Sequence, residues 1–304
     1  MPELPRDSGR YDYSPITDRP AFAWPAGSGL AAYVAINVEC FAYGGGGATL
    51  TPGADPPHSE HRRYGWRDYG IRVGLWRLLD ELAQRAITPT FLLNAYVPQL
   101  YPAVAAALTA SGGEIVGHGR TNSELQGGLD EADERELIDE STRLLTDAFG
   151  TRPYGWMSPG ATQSPQTPDL LAENGYRYTL DWPIDDQPVW LRTRGGPLLN
   201  VPYPLETNDY PQVLSRGHTG REFGEIALDQ LVELRRQARR MPLVYPLSLH
   251  PFIAGQPHRL HALLPVLDLL AEHRDEIWLT TPGAIAAHYA DVVPAPTAEG
   301  NPHG

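Results

Sequence analysis

"LAAYVAINVE", residues 30–39, is a run of apolar residues that ends at a carboxylate, Glu39. A short apolar run of this kind predicts a buried β-strand. A segment with helical spacing of leucines follows at 69–86, and a second apolar run, "TPTFLLNAY", follows at 88–96. Strand and helix therefore begin to alternate at the first apolar run.

The alternation continues along most of the chain. Further strands are predicted at 114–119, 154–158, 176–182, 243–250 and 277–281. Further helices are predicted at 97–110 (before the glycines at 112–113), 131–149, 167–175, 224–240, 258–273 and 282–292, with an irregular stretch at 183–223. Alternation at this rate is typical of parallel strands with helices packed outside them.

Polar residues recur where several predicted strands end. They are Glu39, Asn94, His118, Ser158, Asp181 and His250. In a parallel barrel the carboxyl ends of all strands converge on one face, where active sites lie. An open sheet would instead concentrate such residues at a single switch point. The distribution of polar residues over the ends of several strands favours a barrel over an open doubly wound sheet.

The domain organisation follows from the same pattern. Residues 1–29 are rich in Pro, Gly and Asp without a clear period, and we predict an N-terminal arm that lies over the folded body. Residues 30–293 form one barrel domain, and residues 294–304 are expected to be a disordered tail.

Composition excludes several classes of function. The net charge of −13 disfavours nucleic acid and anionic membranes as partners. A single cysteine, Cys40, excludes an intramolecular disulfide framework and a cysteine-based zinc cluster. The start of the sequence has no apolar signal region, and no stretch approaches 18 apolar residues. We therefore expect a cytoplasmic enzyme or binding protein for a small molecule, with a homo-oligomer left open.

Three ionisable residues at strand ends are the candidates for chemistry. Glu39, His118 and His250 each follow an apolar run. Each one alone could be a capping, loop or core residue. Three such groups at equivalent positions indicate a shared cavity at the carboxyl face of the barrel.

Five segments carry a resemblance to a known family. They are "INVE" (36–39), "HGRTN" (118–122), "GWMSPG" (155–160), "LDWPIDDQPVW" (180–190) and "LSLHPFIAGQPHRL" (247–260). In this order they resemble the polysaccharide deacetylase superfamily, also known by its NodB homology domain and similar to carbohydrate esterases of family 4. The resemblance is strongest to its branch of allantoinase-like and cyclic-imide-hydrolase-like proteins. It implies a distorted (β/α)7-type barrel that hydrolyses carbon–nitrogen bonds other than peptide bonds.

The resemblance also assigns residues, and several depart from the pattern of the sugar deacetylases. Val38 stands at the first aspartate position and Glu39 at the second, while Asn122 replaces the second histidine after His118. Met157 occupies the arginine position; His250, named above, matches the late histidine. These departures disfavour sugar deacetylation and are compatible with amide hydrolysis.

The same departures also affect how tightly the site is expected to bind a metal. Zinc prefers imidazole, thiolate and carboxylate ligands, and a catalytic zinc normally has three protein ligands. Glu39 and His118 supply two, whereas Asn122 offers a neutral amide oxygen that suits harder ions. We expect a pocket without a tightly bound metal; a divalent metal such as zinc held by these three residues is the alternative.

In a hydrolysis without a metal, each of the three ionisable residues has an expected role. Glu39 would deprotonate water, and His118 or nearby backbone N–H groups would stabilise the oxyanion. His250 would protonate the departing nitrogen.

Substrate binding is expected from Asn122, Trp156, Asp185, Asp186 and Trp190. The two aspartates could accept N–H bonds from an imide or ureide, although a solvated turn is the other interpretation of this pair.

The leading functional hypothesis is an amidohydrolase that acts on a small cyclic amide, ureide or imide. The second is a metal-dependent deacetylase of N-acetylated sugars, a function in carbohydrate metabolism. The third is a catalytically silent barrel that binds a ligand. The long segments at 40–69 and 183–223 could roof the pocket, which would favour a small substrate.

Overall fold

The computed structural model describes residues 7–45 and 60–296. The ends of the chain that were assigned to the arm and the tail, 1–6 and 297–304, lie outside the described residues. The strands are β1 (Leu30–Val38), β2 (Pro89–Leu93), β3 (Glu114–Gly117), β4 (Gly155–Trp156), β5 (Tyr178–Thr179), β6 (Val189–Leu191), β7 (Leu198–Asn200), β8 (Leu243–Leu249) and β9 (Ile277–Leu279).

Helices connect most of these strands. They are α1 (Glu60–Tyr69), α2 (Leu75–Gln84), α3 (Val97–Leu100), α4 (Pro102–Ser111), α5 (Glu131–Phe149), α6 (Thr167–Asn174), α7 (Gly220–Gln237), α8 (Pro251–Ala254), α9 (Pro257–Glu272) and α10 (Pro282–Val292). A π-helical turn, Gly70–Gly74, joins α1 to α2. None of the helices in the described ranges has the length and apolar content needed to cross a membrane.

The strands form one curled sheet in the order β6-β7-β5-β4-β3-β2-β1-β8. Neighbouring strands are parallel except for the antiparallel pair of β6 and β7, and β9 pairs with the first residues of β1. The loop before β6 reaches the far edge, where the N–H of Val244 in β8 donates to the Asp186 carbonyl at 2.9 Å. The predicted barrel-like α/β fold is thus confirmed.

The central strand β1 is buried on both faces, which explains its unbroken apolar sequence. Its odd-numbered residues Ala31, Tyr33 and Ala35 pack inside the curl, and its even-numbered residues pack against the surrounding helices. Because side chains alternate along a strand, counting on by twos from Ala35 brings Glu39 to the inner side. The same alternation sets the side of the sheet on which each strand-end residue lies.

The helix predicted at 97–110 is interrupted in the structure. Tyr101 has φ −135° and ψ 71°, and it separates α3 from α4. The reason is Pro102, since a residue before proline is driven out of the helical region. The predicted end at Gly112 is confirmed: this glycine adopts the left-handed conformation with φ +66°.

The stretch predicted as irregular, 183–223, contains β6, β7 and a second π-helical turn, Tyr210–Ser215. Each of these strands has three residues, so hydrophobic alternation has no room to appear in the sequence.

The described part of the N-terminal arm packs against the body. The indole of Trp24 is buried and donates to the Leu243 carbonyl at 2.9 Å. Arg10 forms a two-point ion pair with Asp169 at 2.7 Å. Leu243 is the first residue of β8, so the contact between Trp24 and Leu243 lies at the amino end of the sheet, away from the strand ends that carry Glu39 and His250.

Candidate active site

Glu39, His118 and His250 meet inside the curl at the carboxyl ends of β1, β3 and β8. The Glu39 Oε1 atom lies 3.5 Å from His118 Nε2 and 3.7 Å from His250 Nε2. All three side chains are buried. The three ionisable groups singled out from the sequence therefore surround one point, although they are up to 211 positions apart in the chain.

Asn122 joins this group through its amide. Its Nδ2–H donates to Glu39 Oε1 at 2.6 Å, and its backbone N–H donates to the Cys40 carbonyl at 3.0 Å. The loop that carries Asn122 begins at Gly119, whose φ of +64° favours glycine. A Cβ there would lie 2.4 Å from Pro159 Cγ. The loop after β3 is thus held against the loops after β1 and β4.

The orientation of the His118 ring follows from its hydrogen bond. Its Nδ1 lies 2.7 Å from the carbonyl oxygen of Met157. A carbonyl only accepts, so Nδ1 carries a proton, and Nε2 is the ring nitrogen that lies near Glu39.

Ser158 and Asp181 support the carbonyl that orients His118. The backbone N–H and the hydroxyl of Ser158 donate to the Asp181 carboxylate at 2.7 and 2.9 Å. Burial raises the pKa of Asp181, while these hydrogen bonds act in the opposite sense. Two polar strand-end residues from the sequence thus pair with each other and fix the loop after β4, which contains Met157.

His250 is held by a residue that the sequence did not indicate, Asp209. The Asp209 carboxylate lies 2.7 Å from His250 Nδ1 and accepts the His250 backbone N–H at 2.8 and 3.0 Å. Burial lowers the pKa of His250, but the carboxylates of Asp209 and Glu39 raise it more, so the net shift is upward. The bond to Asp209 turns Nε2 of His250 toward Glu39. A histidine in this setting is suited to donate a proton.

The sequence alone could not identify Asp209 as a site residue, for a physical reason. It directly precedes the π-helical turn Tyr210–Ser215, inside the stretch that the sequence predicted as irregular. Its partner His250 is 41 positions away, and a spacing of that size carries no periodic signal.

Trp156, a predicted substrate contact, lies in a hydrophobic cluster and is not brought together with Glu39. Its indole lies in the cluster under α5 and α6 with Leu137 and Leu170, and its Nε1–H donates to Gln126 Oε1 at 3.2 Å. Alternation along β4 explains the difference, since Met157 then faces the inside of the curl and Trp156 the helices.

Asp185, Asp186 and Trp190 are also placed away from Glu39. Asp185 forms an ion pair with Arg19 of the arm, at 2.5 and 2.7 Å. The Asp186 carbonyl accepts from Val244, which precedes His250 by six residues of extended strand, a span of about 20 Å.

Trp190 is held by a hydrogen bond at the same end of the barrel as these aspartates. Its Nε1–H donates to the Val293 carbonyl at 2.9 Å, directly after α10. The structure thus does not bring these three predicted substrate contacts together with Glu39, because the chain turns back after Asp181 and the loop runs to the opposite end of the barrel.

Three buried atoms at the site have no hydrogen-bond partner among the described residues: Glu39 Oε2, His118 Nε2 and Asn122 Oδ1. All three present lone pairs, and they come from the residues predicted as metal ligands. Together they offer a divalent cation one carboxylate oxygen, one imidazole nitrogen and one amide oxygen. However, Asn122 turns its N–H toward Glu39 Oε1, so the amide itself stabilises the carboxylate.

Comparisons with known proteins identify the family and the fold. The polysaccharide deacetylase family matches residues 67–179. The structure is similar to that of PuuE allantoinase, with a TM-score of 0.83 and 30% sequence identity over 97% of this chain and 100% of that chain. It is also similar to a probable polysaccharide deacetylase from Pseudomonas aeruginosa PAO1, with a TM-score of 0.81 and 30% identity over 92% and 97% of the two chains.

The chain belongs to the polysaccharide deacetylase family. As a member it is a hydrolase of carbon–nitrogen bonds other than peptide bonds, the class that its sequence predicts. A curated relative in sequence is the peptidoglycan deacetylase of Helicobacter pylori strain 26695, 20% identical over 241 residues, which cover 68% of this chain and 81% of that protein.

Proposed function

We propose that this member of the polysaccharide deacetylase family hydrolyses an amide bond of a small cyclic amide, ureide or imide. The observation that carries the proposal is the meeting of Glu39, His118 and His250 around one point, with Asn122 in place of a second histidine. Similarity to PuuE allantoinase over nearly the whole of both chains supports a cyclic ureide or a related ring as the substrate class.

Glu39 acts as the base that activates water. Glu39 Oε1 and the lone pair of His118 Nε2 lie 3.5 Å apart, and both accept hydrogen bonds. A water molecule can donate one hydrogen to each of them, which directs its oxygen lone pair at the carbonyl carbon of the substrate. As the water oxygen bonds to that carbon, Glu39 takes one of its protons.

His250 supplies the proton for the leaving nitrogen. Its upward pKa shift favours the imidazolium, whose Nδ1–H bonds to Asp209 and whose Nε2–H faces the site. When the carbon–nitrogen bond breaks, the electron pair stays on nitrogen and receives this proton. The products are one carboxyl group and one N–H group, and the proton on Glu39 returns to His250 or to solvent.

Oxyanion stabilisation remains a role for backbone N–H groups of the strand-end loops. A missing donor of this kind typically costs about 3 kcal/mol of transition-state stabilisation.

A metal would be held by Glu39 Oε2, His118 Nε2 and Asn122 Oδ1. When bound, a divalent cation supplies Lewis-acid polarisation of a carbonyl and acidifies water. One carboxylate, one imidazole and one amide would bind zinc less tightly than one carboxylate and two imidazoles.

Deacetylation of an N-acetyl sugar is the second candidate, because the family itself favours it. Tyr64, Arg67 and Asp68 of α1 line the cleft beside Glu39, and a covered cleft suits a small ring better than a polymer. The test is turnover of imides, cyclic ureides, lactams and N-acetyl sugars before and after chelation. Ring opening that survives chelation supports the proposal; sugar deacetylation abolished by chelation supports the second candidate. Binding without turnover of any compound would indicate a silent barrel.

A further inference from the structure

A group of buried polar side chains lies next to the site, on the inner side of the sheet. Asn37 of β1, Ser248 of β8 and Tyr203, which follows β7, form this group and are called the Tyr203 network. At most 7% of the surface of each residue is exposed. Buried polar groups are costly unless they are hydrogen-bonded. The mechanism above gives the Tyr203 network no role.

The Tyr203 network lies where the backbone pairing of β1 and β8 stops. The last paired residues of the two strands are Ile36 and Leu249. Glu39 and His250 both come after this pair, yet Glu39 Oε1 and His250 Nε2 are 3.7 Å apart. Contacts other than the pairing of these two strands therefore set the distance between the base and the acid.

The hydrogen bonds of the Tyr203 network form a closed circuit. The Asn37 Nδ2–H groups donate to Ser248 Oγ at 2.9 Å and to the Leu249 carbonyl at 3.3 Å, which fixes the orientation of the amide. The Tyr203 hydroxyl donates to Asn37 Oδ1 at 3.3 Å, so Ser248 is the donor in its 2.6 Å bond to Tyr203. Each bond polarises the next, and the circuit therefore joins the ends of β1 and β8 more strongly than separate bonds would.

Tyr203 also connects this network to the segment that orients His250. The Asn208 Nδ2–H donates to the Tyr203 hydroxyl at 3.4 Å, and the backbone of Asn208 pairs with that of Ser248. Asp209, whose carboxylate holds the His250 ring, is the next residue. Burial raises the pKa of Tyr203, so the hydroxyl keeps the proton that closes the circuit.

We propose that Tyr203 is a positioning residue whose hydroxyl sets the distance between the base Glu39 and the acid His250. It acts through Asn37 and Ser248, which stand two residues before the base and the acid. Without the hydroxyl, Ser248 loses its acceptor and Asn37 Oδ1 loses its donor, and the strand ends shift to satisfy these buried groups. This inference rests on the proposed hydrolysis, because it assumes the same base and acid.

Tyr203→Phe removes the hydroxyl and keeps the phenyl group. We expect kcat for the opening of a cyclic imide to fall about 10- to 100-fold, while KM changes by less than about twofold, because a small displacement of catalytic groups slows the chemical step. The matched control is Tyr245→Phe. It removes the hydroxyl of another buried tyrosine, which donates to the Ala227 carbonyl of α7 at 2.9 Å, and kcat should stay within about twofold of the wild-type value.

A second variant tests whether the three residues act as one unit. Ser248→Ala opens the same circuit from β8 and should lower kcat by a similar factor. The double variant should lose little more than either single variant, because a circuit that is already open cannot be opened again. Losses in kcat that multiply in the double variant would overturn the inference, since the two hydroxyls would then act independently.

Thermal unfolding followed by circular dichroism shows that each variant is folded, and Ser248→Ala decides the case if Tyr203→Phe does not fold. A kcat close to that of the wild-type protein in either variant, or a loss no larger than in Tyr245→Phe, would overturn the positioning role and leave the proposed hydrolysis in place. If the wild-type protein opens no cyclic amide at all, the proposed function fails and this inference fails with it.

Discussion

The Asp209 carboxylate forms hydrogen bonds with two groups of His250, the ring Nδ1 and the backbone N–H. The contact fixes the direction of the imidazole, and the negative charge favours its protonated form. Burial acts in the opposite direction, yet the pKa of His250 still lies above its ordinary value. His250 is therefore suited to the acid role because of a residue far from it in the sequence.

Asp209→Asn tests that relationship through the pH dependence of turnover. An acid must be protonated, so activity falls as pH rises through the pKa of His250. Loss of the negative charge lowers that pKa, and the fall should then begin at a lower pH than in the wild-type protein. We also expect kcat to drop by about 10- to 100-fold. The pH profile of kcat/KM measures both effects, with the exposed Asp229→Asn as the control. An unchanged basic limb in Asp209→Asn would contradict the acid role of His250.

Asp185→Asn tests the position of the loop that was first expected to bind substrate. Asp185 is paired with Arg19 at the end of the barrel opposite Glu39. We expect kcat/KM to change by less than about twofold, while the melting temperature falls, because a partly buried two-point ion pair is lost. Steady-state kinetics together with thermal unfolding would show this. A large rise in KM with an unchanged melting temperature would instead place the loop at the substrate.

Glu134→Ala tests a buried carboxylate that holds two strand-end loops. Glu134 of α5 accepts from Gln126 Nε2 at 2.7 Å and Ser164 Oγ at 2.5 Å, and it also accepts from the Thr167 hydroxyl. Removing it leaves buried donors without an acceptor, so the free energy of unfolding should fall by about 3 kcal/mol.

Denaturant titration measures that loss, with the exposed Glu136→Ala on the same helix as control. A loss below about 0.5 kcal/mol would mean that water replaces the carboxylate.

Asn122→His tests whether the amide sets the metal affinity of the site. The substitution restores a second imidazole beside Glu39 and His118 and removes the N–H that now bonds to the Glu39 carboxylate. We expect zinc affinity to rise at least about tenfold, because imidazole is the better zinc ligand. Isothermal titration of the purified variant and of the wild-type protein with Zn²⁺ gives the comparison. Equal affinities would show that position 122 does not contact a bound metal.

The sequence revealed the parts of this site that follow a local rule. Apolar runs located the longer strands, and polar residues after them located Glu39, His118 and His250, because parallel strands end on a common face. Asn122 could be predicted as a site residue because it stands four positions after His118, where the family pattern has its second histidine.

The remaining residues depend on contacts that no local rule encodes. Trp156 ends a strand of two residues and Met157 follows it, and a strand of this length is too short for alternation to show which side chain faces inward. Asp209 and Arg67 lie in segments without a strand, and they reach the site only because the chain folds back over it. Their placement is a property of the tertiary structure.

Glu39→Gln is the most direct test of the account. Glutamine keeps the shape of the side chain and cannot take a proton from water, so the fold should survive while turnover falls by about 10³-fold or more. The measurement is kcat on a cyclic imide for the wild-type protein, for Glu39→Gln and for the exposed control Glu225→Gln, with circular dichroism to confirm folding. Loss of turnover confined to Glu39→Gln is the predicted result. Turnover near the wild-type rate in that variant would contradict the account, because the water would then be activated by some other group.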